Sequence, residues 1–414
     1  MPEPHGSSPP SIDQAPRAIV ARQPILDRSE RVVGFEILYR ATSPSMPTAL
    51  EDPEAASSSV IVRTIADIGL QQLVGDRPAY INVTRDLLLQ VRPLPLPPDR
   101  VVLELIEGQV VDRALLDVLE ELVDAGFQLA LDDFRWRPEL DKLVGLASIV
   151  KLDIRAMEES DLREHVARLR GRGIWLIAEK VETREEYEMC RGLGFDAFQG
   201  YFFARPDLGS GRSAPTHKLG ALAALADPAA QASFEELERV ILRDAGLSHK
   251  LVRLVNSAFV GVRREIGTVR EALTLLGTVA VHRWAMLLVI ADLTDRPNHL
   301  LAAALHRARL AELLAGERGI AVPDRAFTVG LFSVVDALLG APLTELLDEL
   351  PFDERTRRAL LDHDGPEGRL LSDVLAFERG EFEACDERGL YLQTFAGAYR
   401  DALDWAGEAL GQLG

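Results

Sequence analysis

From Ala18 to Pro206 short apolar runs alternate with helix-spaced patterns. AIVARQPIL and VVGFEILYR flank the polar turn DRSER and predict a β-hairpin. The helical pattern SSSVIVRTIADIGLQQLV follows, then the strand-like runs AYINVT and VVLELIE and a helix over 112–125. FQLALDDF, IVKLDI, a helix over 158–172, IWLIAEKV and FDAFQGYFF continue the alternation. Repeated βα units predict a parallel sheet, and this many of them predict a closed TIM-like βα barrel, an α/β fold. After Pro206 the strand patterns stop. The stretch 208–216 is rich in Gly, Ser and Pro and reads as a linker, and 217–414 reads as amphipathic helix throughout, an all-α second domain. The barrel is expected over 17–207, and residues 1–16 are expected to be disordered.

Composition narrows the possibilities. At 414 residues and 47% hydrophobic content the chain can bury two substantial cores. Its net charge of −19 argues against a nucleic-acid polymer as partner, because a phosphate backbone demands a basic surface. Two cysteines, Cys190 and Cys385, are too few for a disulfide framework and fit a reducing cytoplasm. No apolar run is expected to approach 18 residues and the first residues lack a signal-peptide pattern, so a cytoplasmic protein with no membrane association is expected.

The barrel strands carry an unusual set of polar residues: Glu36, Asn82, Glu104, Asp132 with Asp133, Lys151, Glu179 and Gln199. In a βα barrel the strand ends share one mouth, where active sites lie. Any one of these residues alone is more simply a helix cap or an ion-pair partner, and Asn82 before Thr84 or Lys151 beside Asp153 fit that reading. Strand after strand bearing one is a different matter. Converging carboxylates repel unless a cation holds them, and oxygen donors of this kind suit Mg²⁺ or Mn²⁺. On this reading Glu36, a carboxylate inside an apolar strand, is a metal ligand at a strand end.

These residues resemble the EAL domain, a family that hydrolyses the bacterial second messenger cyclic di-GMP. EILYR resembles the family's Glu-Ala-Leu-x-Arg opening through Glu36 and Arg40. INVT supplies Asn82, ELIE supplies Glu104 and Glu107, and LDDF supplies the paired aspartates. VKLDI supplies Lys151, EKVET supplies Glu179 and Glu182, and QGYFFARP closes the series with Gln199. The resemblance implies one cation held by Glu36, Asn82, Glu104 and Asp132, with Asp132 and Asp133 reaching a second, a two-metal site. It further implies Lys151 and Glu179 as the catalytic pair that orients or deprotonates water, Arg40 and Gln199 as substrate-binding residues, and Glu107 and Glu182 as supports.

Three departures stand out, one of them length: the barrel spans about 190 residues against roughly 200 or more for such folds, and a helix is expected to be trimmed between Arg40 and Asn82. The family continues after its paired aspartates with Phe-Gly and a small, Ser-rich loop, whereas here the chain reads DDFRWRPEL, in which Phe134 and Trp136 could stack on guanine or close the mouth. The Gly of the family's Glu-Gly-Val-Glu motif is Lys180, which would add a cation beside Glu179.

The second half resembles the HDOD domain, a helical relative of HD phosphohydrolases, through VNSAF (Val255 to Phe259), Gly261 and Gly277. The order of the two domains matches the YuxH-like group of EAL–HDOD proteins. Where an HD enzyme has its His-Asp pair after GLF, this chain has Ser333 and Val334. His363-Asp364 falls in the polar turn LDHDGPEG, and His249, His282 and His306 read as ordinary helix residues. Arg263 and Arg264 read as a solvated turn. The helical half is therefore expected to be a regulatory module that contacts a protein partner and holds no metal. The whole chain is expected to be a slow, Mg²⁺- or Mn²⁺-dependent cyclic di-GMP phosphodiesterase. Its alternative is an inactive effector that senses cyclic di-GMP or binds a partner, and either form admits a homodimer.

Overall fold

The computed structural model describes residues 17–42, 69–200, 216–227, 230, 233–262, 264–293, 298–317, 319, 322–388 and 392–413. Most of the first helical pattern, the YFFARP segment, the linker and Arg263 lie outside them.

Eight strands close into one barrel in sequence order. They are β1 (Arg17–Asp27), β2 (Val32–Thr42), β3 (Ala79–Val83), β4 (Val101–Leu105), β5 (Gln128–Leu131), β6 (Ile149–Asp153), β7 (Trp175–Glu179) and β8 (Ala197–Phe198). The hairpin read from the sequence is β1–β2, paired antiparallel from Arg17↔Thr42 to Leu26↔Val32, and β1 also closes the barrel antiparallel to β8. From β2 to β8 every neighbouring pair is parallel. The intervening helices bury their apolar stripes on the outside of the strands. Asp112, for example, caps the helix Arg113–Asp124 by accepting from the Leu115 amide at 2.9 Å, and the helix buries Leu115, Leu116, Val118 and Leu119.

Side chains alternate in and out along a strand, so inward positions recur every second residue. One inward level is apolar: Ile25, Tyr80, Val102, Ala130, Ile149, Ile177 and Ala197 form a compact cluster. Gly34 belongs to the same level, since a Cβ there would stand 2.5 Å from the Tyr80 ring. Two residues further towards the mouth come Gln23, Glu36, Asn82, Glu104, Lys151 and Glu179 on their strands, with Asp132 and Gln199 immediately after β5 and β8. An apolar floor thus supports a polar layer to which each strand, or the position just after it, contributes one residue.

Glu36 does not sit at a strand end, as the sequence suggested. β2 continues past it to Thr42, because pairing with β1 persists that far while pairing with β3 stops at Ile37. The hairpin therefore extends beyond the barrel rim. On it Ile19, Ala21 and Leu38 pack with Leu310, Phe377, Phe395 and Tyr399 of the helical half, in a cluster drawn from both halves of the chain. Gly380 makes the close approach possible: its φ is +73°, and a Cβ there would meet Leu38 at 2.9 Å.

The helical half is built around a larger core. Its apolar helix Val269–Leu293 has an 18-residue window of mean hydropathy 1.7, enough by length and composition to cross a membrane, which the sequence reading did not register. Gly277 breaks it at φ 81°, and Trp284 to Ile290 are all buried in the core, which accounts for the hydropathy.

Candidate functional site

The polar layer converges on Lys151. Its side chain is fully buried, and its Nζ lies 3.0 Å from Glu36 Oε2, 3.0 Å from Glu104 Oε1, 3.1 Å from Asp132 Oδ1 and 2.7 Å from Glu179 Oε1. An ammonium has three protons and one charge, so it cannot satisfy four carboxylates. Two amides take part of the load. Asn82 Nδ2 donates to Glu36 Oε1 at 3.3 Å, and Gln199 Nε2 donates to Glu36 Oε2 at 2.6 Å and to Gln23 Oε1 at 2.8 Å. Gly200 holds Gln199 in place: at φ 151° its backbone packs so closely on Val181 that a Cβ would stand 2.2 Å from the Val181 carbonyl oxygen.

Buried oxygens are left over. Asn82 Oδ1, both oxygens of Glu104, Asp132 Oδ1 and Asp133 Oδ1 accept no hydrogen bond. Glu104 Oε1 and Asp132 Oδ1 lie within ion-pair reach of Lys151 but outside hydrogen-bond geometry. Such orphans are costly in a dry interior. They are hard oxygen donors of the kind that bind divalent cations. Among the described residues no three acidic, imidazole or thiol groups close around a metal position, and Lys151 stands at the point where the carboxylates meet.

The charge imbalance shows in the titration behaviour. Burial, with the neighbouring carboxylates, pushes Glu104 well above the ordinary carboxylate range, raises Asp132, and lifts Glu179 to about 8. Burial would raise Glu36 as well, but Lys151, Gln199 and Asn82 together hold it below its usual value. Burial works against the charge on Lys151, and the four carboxylates overcome it and keep the ammonium protonated.

Other expected residues fall elsewhere. Asp133, at φ 42°, turns to Lys180. Lys180 does not pair with Glu179 as anticipated; its ammonium donates to Asp153 Oδ2 and lies 3.6 Å from Asp133 Oδ1. Glu107 is exposed beyond the end of β4, and Glu182 pairs with Arg155 at 2.9 Å at the start of the helix Arg184–Leu193. Arg40 sits on the hairpin extension, where Nη1 lies 2.5 Å from Asp386 Oδ2 and donates to the Phe382 carbonyl at 3.2 Å, so the helical half holds it. In the altered loop Phe134 is buried in the barrel's outer core. Trp136 is flanked by the Arg168 and Arg172 guanidiniums at 4.8 and 4.9 Å, and its amide donates to His165 Nε2 at 2.9 Å. Phe134 is therefore not free to stack on a base, and Trp136 is already engaged by two guanidiniums.

Sequence reasoning missed Gln23 and Asp153. Gln23 is opposite Glu36 in the hairpin register, a relation readable once the turn is placed, and Asp153 follows Lys151 by two residues on β6.

In the helical half Ser333 Oγ donates to the Gly330 carbonyl at 2.7 Å and Val334 is buried. His363 Nδ1 pairs with Ser372 Oγ at 3.0 Å, and Asp364 caps the helix Gly365–Glu378. His282 Nε2 contacts the Leu225 carbonyl at 2.7 Å, and His249 is exposed.

The EAL domain model matches residues 12–206 and the HDOD domain model residues 215–344. YuxH of Bacillus subtilis is 31% identical over 401 residues, 94% of this chain and 98% of that protein. The cyclic di-GMP phosphodiesterase CdgJ of Vibrio cholerae is 31% identical over 378 residues, 90% of this chain and 88% of that one. A solved Klebsiella pneumoniae BlrP1 calcium/cyclic di-GMP complex is 26% identical with a TM-score of 0.38, covering 46% of this chain and 55% of that one. With both domains in the same order and nearly full-length similarity, the chain belongs to the EAL–HDOD family that includes YuxH and CdgJ.

Proposed function

We propose that the chain is a divalent-metal-dependent cyclic di-GMP phosphodiesterase that opens the cyclic dinucleotide to its linear form, with the helical half as its regulatory module. The observation that carries this reading is the polar layer, which gathers more buried anionic oxygen than its one ammonium can neutralise. The relative CdgJ, named as such a phosphodiesterase, supports the choice of substrate.

In their chemistry, as hard oxygen donors, the residues of this layer suit Mg²⁺ or Mn²⁺. Glu36, Asn82, Glu104 and Asp132 would hold the cation, which when bound lowers the pKa of a water and offsets charge on the phosphate. Glu179 in its ionised form would accept the proton that water gives up as its oxygen bonds to phosphorus. The phosphorus–oxygen bond to one ribose would break, and that oxygen would take up a proton from solvent water while Glu179 returns its own proton to solvent. Lys151 keeps Glu179 oriented at 2.7 Å, and Gln199 keeps Glu36 oriented at 2.6 Å. Arg40 would grip a substrate phosphate after leaving Asp386, a requirement that weakens substrate binding.

Chromatography of full-length protein incubated with cyclic di-GMP and Mn²⁺ tests the reading. The linear dinucleotide should accumulate, and a chelator should stop it. Glu36→Ala should weaken metal binding and abolish turnover. Binding without cleavage by the native protein would leave a sensor, and neither binding nor cleavage would refute the assignment.

A further inference from the structure

The resemblance to EAL domains implies a second cation reached by Asp132 and Asp133, yet the structure puts a protein cation beside that pair. From this we infer that the ammonium of Lys180 takes the place of a second metal ion, so that the barrel mouth binds one divalent cation and not two. The inference rests on the reading of the mouth as a cation-dependent site.

Three observations carry it. Lys180 directly follows the last residue of β7, and its ammonium is held by two carboxylates, donating to Asp153 Oδ2 and lying 3.6 Å from Asp133 Oδ1. Asp153 is itself fixed, because its Oδ1 accepts from the Arg155 and Ala156 amides at 2.8 and 3.1 Å. The lysine is anchored by a rigid acceptor and not by a mobile surface acid. Finally, Lys180 adopts φ 58°, a backbone state that favours glycine, the residue that EAL domains carry at this point of the motif. A long cationic side chain at a position better suited to glycine is an exception that placement of the charge explains.

The consequence is an asymmetric mouth. Glu36, Glu104 and Asp132 share the single Lys151 ammonium with Glu179, and Asn82, Glu104 and Asp132 each keep an oxygen that accepts no hydrogen bond, so this side of the mouth still has net anionic charge to offer a divalent ion. Asp133 already faces a positive charge, and a further dication there would be repelled by it.

The test is metal stoichiometry on the full-length chain, read by Mn²⁺ titration with electron paramagnetic resonance. The native protein should bind one Mn²⁺ per chain with no manganese–manganese coupling. Lys180→Gly, which also relieves the backbone, and Lys180→Met, which keeps the stem without the charge, should each bind two, with the second ion at least tenfold tighter than in the native protein and a coupled spectrum. Two coupled ions in the native protein would overturn the inference while leaving the functional reading intact. So would a single ion in both variants. No bound ion in any of the three would overturn both.

Discussion

Two of the buried charged clusters among the described residues differ in balance. At the barrel mouth four carboxylates share one ammonium, and oxygens of Glu104 and Asp132 remain without hydrogen bonds. In the helical half Glu378 is met by Arg307 at 2.8 Å and His306 at 3.3 Å. His306 in turn packs edge-on against Tyr399, whose hydroxyl accepts from the Arg22 amide of β1 at 3.2 Å. Burial would raise Glu378, but Arg307 and His306 hold it below the ordinary range, whereas Glu104 is driven far above it. A buried acid with its countercharge supplied by the chain is a structural joint, here one that seats the helical half on the hairpin. A buried acid lacking its countercharge needs a ligand to bring it.

The largest expected effect separates the two directly. Lys151→Met removes the ammonium that Glu36, Glu104, Asp132 and Glu179 share and should cost about 3–5 kcal/mol of stability without metal. Glu378→Gln leaves Arg307 buried without its anion and should also be strongly destabilising. Chemical denaturation distinguishes them: added Mn²⁺ should recover much of the loss in the first variant and none in the second. Equal recovery in both would erase the contrast.

A comparable effect on rate is expected at Glu179. Glu179→Gln keeps the shape and loses the proton acceptor, which should lower turnover by ~10² to 10⁴ while calorimetry still shows cyclic di-GMP binding. Loss of both together would make Glu179 a binding residue.

A smaller effect is expected from Asp336, which burial raises to about 6 near the absent His-Asp position. A carboxyl raised in the folded state contributes its stability while protonated, in full below its ordinary value of 3.8, and loses it as pH rises through about 6. Asp336→Asn, still able to accept from the Ala337 amide, should therefore be more stable than the native chain at pH 7, by up to about 3 kcal/mol, and no more stable at pH 3. A gain that is the same at both pH values would assign it to packing.

Much of this was legible in the sequence because period-two alternation places residues by layer. Glu36, Asn82, Glu104, Asp132, Lys151, Glu179 and Gln199 all fall in the polar layer as their strands predict. What alternation does not encode is reach across the barrel. Lys151 stands at the centre of the carboxylates, which its place on β6 does not reveal, and Lys180 lies against Asp153 and Asp133 and not against the adjacent Glu179. Long side chains choose partners by tertiary distance. The contact of Arg40 with Asp386 was equally hidden, since it joins residues far apart in the chain.

That contact gives the smallest prediction. Both partners are partly exposed, and such pairs contribute ~0.2–1 kcal/mol. Asp386→Ala should leave stability nearly unchanged and, by releasing Arg40, lower KM for cyclic di-GMP a few-fold at constant kcat. A raised KM would place Asp386 on the side of substrate binding.

The central claim, that the unbalanced layer is a cation site, is tested most directly by calorimetric titration of the full-length chain with Mn²⁺, alongside Glu104→Gln and Glu378→Gln. The native chain and Glu378→Gln should bind the ion alike, and Glu104→Gln, which removes the most deeply buried acid of the mouth, should bind it at least tenfold more weakly. Equal binding in all three, or no binding in the native chain, would contradict the account.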